Sequence, residues 1–298
     1  MGLVRSGKVV GLGLAVRDEV YEVESFDLGQ ERVRYTRRTS MPGGMVANAL
    51  VQVARFGVPA HLLSLVGDDA EGRTLTRDLR RAGVAVGQVQ RTGEGPTPVA
   101  VCLVERRSGE RRFLVPDRRR MESRARDFPL TALSRHGLLM LDGHFPGEAL
   151  RAARRARELG MPIVGDFNRP SPAILRLLPL VDYPIVPEEF AVVYGEGDAE
   201  RALRRLAERC PDGLPIVTLG KRGGIYLEGD RLRRFKARRA RVVDTTGAGD
   251  SFHGAFTAAL CLGREPREAI DLARRAAALS VGALGGQGHL PTLAEVLA

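Results

Sequence analysis

Short apolar runs alternating with amphipathic stretches constrain the fold of this 298-residue chain more than any other feature. The runs at 138–141, 163–164 and 216–219 are strand-like and rich in Leu, Ile and Val. Ala/Leu/Arg patterns with helical spacing occupy 149–159, 200–210 and 266–284. A strand that is apolar on both faces has to be covered on both, and helices that cross between parallel strands do this. The expected fold is therefore α/β, a doubly wound and mostly parallel sheet flanked by helices. With 44% hydrophobic residues and no linker longer than the short Pro-rich stretch at 168–172, residues 1–298 are expected to form one main domain.

Two stretches break that rhythm. At about 19–39 and 98–116, Val, Tyr, Phe and Leu alternate with polar residues, and Ser108-Gly109 sits in a turn context. Alternation with period two marks half-buried strands, so a separate small sheet is expected there.

The chemistry concentrates between Val243 and Ala255. Gly247, Ala248 and Gly249 carry no bulky side chain, so their backbone N–H groups can approach an anion. Phe252, Ala255, Phe256, Ala259 and Leu260 follow with helical spacing, which puts this turn at a helix N-terminus. Unpaired N–H groups and the positive end of the helix dipole stabilise the charge of a phosphoryl group in transfer. Asp250, in the first turn, is placed to accept the proton of an attacking hydroxyl. A second Gly pair, Gly43-Gly44, opens another apolar-periodic helix that carries Asn48 one turn in. Asn48 offers both a donor and an acceptor to hydroxyl groups, so two ligand sites are expected.

Taken in order, these segments resemble the ribokinase-like (PfkB) family of carbohydrate and nucleoside kinases over nearly the whole chain. The opening strand leading to Asp18 resembles the family's first strand, and Gly43-Gly44 through Asn48 to Gly57 resembles its first signature. Residues 66–69 with Gly72, then Leu79, Gly83 and Val84, match in order, and Asp244 to Asp250 resembles the second signature. The resemblance implies an ATP-dependent sugar kinase with Mg2+. Asp18, Gly43, Gly44 and Asn48 would hold the sugar, Asp250 would act as base, and Gly247, Ala248 and Gly249 would form the anion hole. Several relatives place substrate contacts where Asp142 and His144 follow a strand. Thr218, Gly220 and Gly223 resemble a nucleotide-side turn, and Glu189 matches the glutamate of an Asn-x-x-Glu element that orders magnesium and phosphate. Val186 stands where that element has its asparagine. Many members bind a monovalent cation beside the anion hole, and the matching positions for K+ are Asp244, Thr246, Ala283 and Gly285. The small sheet would be a lid over the sugar, of a kind that often pairs across a homodimer.

Departures from the pattern bear on the substrate. Members that take ribose carry lysine after the glycine pair and asparagine two residues before the aspartate; here Met45 and Val16 stand at those positions. The look of residues 142–145 and 252–255 points to a ketohexose. A nucleoside kinase of the same fold and a non-catalytic sugar or nucleotide sensor are the alternatives, and a sensor has no need of a base beside an anion hole.

The formal charge of +10 is carried by arginine, with lysine only at Lys8, Lys221 and Lys236. Its pairs, such as Arg233-Arg234, Arg238-Arg239 and those in 118–120, are scattered and accompany no nucleic-acid motif, so a solvated basic face is expected. No apolar run is long enough to span a bilayer. Three distant cysteines fit a reducing cytoplasm, and the histidines lack zinc spacing. Residues 1–6 formally match a myristoylation pattern, but with Arg5 and Lys8 they are expected to lead into the first core strand, with neither anchor nor signal peptide.

Overall fold

The structure, a computed structural model, describes residues 7–25, 32–107, 110–117 and 125–298. Its strands are β1 (Lys8–Leu12), β2 (Val16–Val23), β3 (Tyr35–Gly43), β4 (Ala60–Gly67), β5 (Val84–Thr92), β6 (Val99–Glu105) and β7 (Arg111–Leu114). They continue with β8 (Gly137–Leu141), β9 (Ile163–Asp166), β10 (Tyr183–Pro187), β11 (Ile216–Thr218), β12 (Gly224–Glu228) and β13 (Arg231–Phe235). The helices are α1 (Met45–Arg55), α2 (Ala70–Arg81), α3 (Pro146–Glu158), α4 (Pro172–Leu177), α5 (Glu188–Tyr194), α6 (Ala199–Arg209), α7 (Ala248–Cys261), α8 (Pro266–Ser280) and α9 (Leu293–Leu297).

Among the described residues the large sheet runs β13-β12-β11-β10-β9-β8-β1-β4-β5. Every pair from β11 to β5 is parallel, and only β12 is reversed, pairing antiparallel with both β11 and β13. β8 and β9 are buried along their whole length because both sheet faces are covered. Val9, Leu138, Met140, Val164 and Ile185 share a core with α1, α7 and α8, whereas Val10, Leu12, Leu139, Leu141 and Ile163 face α3 and α6. From β1 the chain builds outward to β4 and β5, then resumes on the other side at β8. The crevice at the carboxyl ends of β1 and β8 is thus the topological switch point, the place where such sheets bind ligands.

The small sheet has the order β3-β2-β6-β7. Its centre is a parallel pair, β2 with β6, flanked by antiparallel β3 and β7. Val20, Cys102 and Val104 bury one face of it against Leu284, so the sheet is anchored over the crevice. The expected turn at Ser108-Gly109 and the arginines at 118–120 lie outside the described residues, as do residues 1–6 and 26–31.

Two boundaries differ from expectation. Asp18 does not end the first core strand but sits in β2 of the small sheet. β1 stops at Leu12 because the N–H of Leu14 is taken by Asp142 Oδ2 at 2.8 Å and no longer by a neighbouring strand. The helical pattern at 266–284 ends at Ser280, where the Val281 carbonyl accepts from Val243 and Asp244 (2.8 and 3.2 Å) and ties the α8 exit to the anion-hole loop.

Candidate active site

The crossing of α1 and α7 creates the centre of the site. Gly254 faces the Ala49 carbonyl so closely that a Cβ there would overlap it. Ser251 Oγ donates to Gln52 Oε1 at 3.0 Å, and Gln52 Nε2 donates to the Pro291 carbonyl at 2.8 Å. This contact carries Asn48 and Asp250 together: Asn48 Nδ2 donates to Asp250 Oδ2 at 2.8 Å. Gln287 Nε2 in turn donates to Asn48 Oδ1 at 2.8 Å, so the amide is fixed at both ends.

Gly247 caps α7 in the left-handed region at φ 75°, and a side chain there would strike the backbone of Gly286. The Ala248 amide makes a long turn bond of 3.3 Å to the Thr245 carbonyl. The amides of Gly249 and Asp250 have no backbone acceptor among the described residues, so they are open to an anion at this helix start. Burial pushes the Asp250 carboxyl up to about 7; nearby Asp166 adds to the rise and the Asn48 hydrogen bond opposes it. A carboxylate so poised exchanges a proton near neutral pH, which suits a general base.

On the lid side, burial also pushes Asp18 up to about 7, against the pull of Arg17. Gly43 lies against the Asp18 carboxylate with no room for a Cβ, and Gly44 adopts φ 99° beneath the Leu14 carbonyl. Both glycines are therefore demanded by close approach and by backbone conformation. Met45 Sδ accepts from Asn168 Nδ2 at 2.8 Å, so the residue after the glycine pair presents a thioether to the crevice.

Asp142 is held by the backbone at the strand ends. Its Oδ2 accepts from Leu14 and its Oδ1 from the His144 amide at 2.9 Å, which makes it a buried clasp between the β1 and β8 exits. It does not cap α3, since Phe145 holds the cap position at φ 55°. His144 is half-buried beside this clasp and lies close enough to Asp166 to lower its carboxyl.

The nucleotide-side residues gather at the carboxyl ends of β10 and β11. Thr218 Oγ1 points to the Val186 carbonyl at 3.5 Å, Gly220 and Gly223 take φ 54° and 91°, and Leu219 donates to the Gly223 carbonyl at 2.7 Å. Exposed Glu189 stands in the first turn of α5, while its neighbour Glu188 pairs with Arg222. Beside the anion hole, Asp244 joins two loops. Its Oδ1 accepts from Thr246 N and Oγ1, both at 2.8 Å, and its Oδ2 from Gly285 N at 2.8 Å. Ala283 and Gly285 share the turn thus clasped.

Sequence reasoning missed three participants. Arg111, on the lid, donates to Thr246 Oγ1 at 2.8 Å and lies 4.0 Å from Asp244. Gln287 fixes Asn48, and a buried Asp166–His253 pair lies behind Asp250. His253 had a sequence signal, one helical turn after Asp250, and so had Asp166, at the carboxyl edge of a strand run; their pairing had none.

A phosphate at the start of α7 and a hydroxyl on the lid side would meet at Asp250, the layout of a phosphotransferase with an alcohol acceptor. Comparison with known proteins agrees. The chain matches the model of the pfkB family carbohydrate kinases over residues 6–293 and belongs to that family. It is 30% identical to ribokinase of Lactococcus lactis over 87% of this chain and 85% of that one. It is 24% identical to ketohexokinase of Mus musculus over 94% of this chain and 98% of the relative. The crystal structure of ribokinase from Thermotoga maritima superposes with a TM-score of 0.81 at 26% identity, covering 98% of each chain.

Proposed function

We propose that this sugar kinase transfers the γ-phosphoryl group of ATP to a hydroxyl of a monosaccharide, with a ketohexose as first choice. The observation that carries the reading is the Asn48–Asp250 pair, set between free helix-end amides and the lid. On the sugar side, Asp18 and the narrow Gly43-Gly44 turn receive hydroxyl groups. Asp250 takes the proton of the attacking hydroxyl, and the Gly249 and Asp250 amides receive the developing charge on the phosphoryl oxygens. The lid excludes water, so that the hydroxyl of the sugar is the acceptor in place of solvent.

For the nucleotide, Val242, Val243 and Leu279 are exposed apolar side chains on the two segments joined by the Val243–Val281 backbone bond, and they are offered to a purine face. Lys221 and Arg222 beside the Gly220–Gly223 turn supply positive charge for phosphates. Among the described residues no three His, Cys, Asp or Glu side chains form a ready metal cluster. Mg2+ would arrive with the nucleotide phosphates, and Glu189, in the first turn of α5, is the carboxylate proposed to meet it. The oxygen donors around Asp244, Thr246, Ala283 and Gly285 suit a hard monovalent cation such as K+, which would neutralise the buried Asp244 and steady the anion-hole loop.

The choice of ketohexose rests on Met45 and Val16, neither of which offers the polar group that ribose-type members place there, and on the full-length similarity to a ketohexokinase. A homodimer is proposed through the outer lid face, where Val99, Val101 and Leu103 are half-buried and Leu114 is 60% exposed. Cytoplasmic residence fits the three free, buried thiols, Cys102, Cys210 and Cys261. The test is coupled ADP release with Mg-ATP over ketohexoses, aldopentoses, sugar acids, sugar phosphates and nucleosides, with K+ replaced by choline in a parallel series. Turnover on a ketohexose above all others supports the reading; preference for a nucleoside, or no turnover on any, contradicts it.

A further inference from the structure

His253 sits one turn after Asp250, its ring sealed between α7 and the carboxyl ends of β9 and β10. Its Nδ1 is 2.6 Å from the Gly249 carbonyl. Its Nε2 is 3.3 Å from Asp166 Oδ1 and 3.4 Å from the Ile185 carbonyl. Both side chains are buried, with the imidazole 5% and the carboxyl 3% exposed, and Asp166 Oδ2 has no partner.

These contacts fix a proton count. The Gly249 carbonyl only accepts, so the proton of a neutral ring belongs on Nδ1. Nε2 then presents a lone pair to Asp166, and a carboxylate there would set acceptor against acceptor. One proton more is required, and a neutral carboxylic acid on Asp166 donating to Nε2 supplies it without burying a charge, the Ile185 carbonyl at 3.4 Å lying at the edge of hydrogen-bond reach. The surroundings favour this placement. Burial and nearby Asp142 hold Asp166 well above the usual carboxylate range, with His144 opposing. Burial holds His253 below its usual value, although Asp250 and the two carbonyls pull it upward. Asp18, across the crevice, is the remaining carboxylate that acts on Asp250.

The carbonyl that His253 engages belongs to the peptide joining Gly249 to Asp250, whose N–H is a donor of the anion hole. A hydrogen bond to the oxygen of a peptide polarises the same peptide's N–H and fixes its plane. Resting on the kinase reading above, we propose that His253 is a positioning residue for phosphoryl transfer. Accepting a hydrogen bond at Nε2 from neutral Asp166, it aims and polarises the Gly249–Asp250 peptide, and the neutral pair keeps a second negative charge away from the base.

Two measurements test the proposal. The first reads the ring without any substrate, by long-range 1H–15N correlation on 15N-labelled wild-type protein. His253 should stay a neutral Nδ1–H tautomer between about pH 5.5 and 8. An imidazolium, or an Nε2–H tautomer, would overturn the proton placement whether or not the protein is a kinase. The second is kinetic. His253→Phe should lower kcat about tenfold to a hundredfold while KM for the sugar moves less than about threefold, as for a weakened anion-hole donor. Asp166→Asn, which keeps a donor toward Nε2, should retain far more kcat than Asp166→Ala. Equal losses in the two Asp166 variants, or undiminished kcat in folded His253→Phe, would overturn it. No sugar turnover by the wild type would contradict the kinase reading, and the tautomer would still decide the proton placement.

Discussion

Replacing Asn48 with alanine removes the hydrogen bond of 2.8 Å that Asp250 Oδ2 receives, while leaving the carboxyl, the anion hole and the Asp18 pocket in place. The bond stabilises the ionised form, and its partner carboxyl is held at about 7 with it present. A hydrogen bond to a charged group contributes about 1.5–3 kcal/mol, and about 1.4 kcal/mol corresponds to one pKa unit. Its loss should therefore raise the Asp250 carboxyl by about one to two units. Because the base works ionised, the acid limb of kcat/KM should move from about pH 7 to about pH 8–9. At neutral pH the ionised fraction falls from about one half to about 1–10%, a loss of roughly fivefold to fiftyfold that returns at high pH. The assay is coupled ADP release at saturating Mg-ATP and low sugar across the pH range. A limb that stays where it was, or a loss equal at every pH, would refute the argument, since a role limited to holding sugar hydroxyls gives the latter.

Other perturbations test the surrounding frame. Gly254→Ala forces a Cβ onto the Ala49 carbonyl and should cost about 1–3 kcal/mol in urea unfolding, with the acid limb moving upward as Asn48 is displaced; unaltered stability would contradict the tight crossing. Arg111→Ala releases the lid from Thr246 and should raise the sugar KM severalfold and speed hydrogen exchange along β7, measured by mass spectrometry; unchanged exchange would count against the latch. Asp250 is held above the ordinary carboxylate value, so its contribution to wild-type stability declines as pH rises from that value to about 7. Asp250→Asn lacks this decline, and its thermal midpoint should exceed that of the wild type by a few degrees at about pH 8, with the gap closing toward about pH 5.

The two glycine-led helix starts and the first-turn carboxylate were legible because each is a local pattern: small residues before a helical apolar run, with Asp250 in the first turn of α7. The parallel sheet was legible for the same reason, through strand runs such as 138–141 that cannot be half-exposed. Pairings across the chain were not. Asn48 and Asp250 are 202 residues apart, and nothing in their local sequence says that a missing Cβ at Gly254 lets their helices touch. The reach of Arg111 to Thr246 depends on the parallel β2–β6 pairing that seats the lid over Leu284. The part of Asp142 in joining the β1 and β8 exits was not legible either, because a carboxylate at a strand end serves a ligand or two backbone amides equally well and only the loop geometry shows the amides.

The central claim is that Asp250 deprotonates the acceptor hydroxyl. It is tested most directly by single-turnover transfer from Mg-ATP to the best sugar of the panel, wild type against Asp250→Asn, with nucleotide binding measured on both. The account expects the rate to fall by roughly 10²–10⁴-fold while ATP affinity and fold are retained. A folded Asp250→Asn protein that transfers phosphate at a near wild-type rate would contradict it.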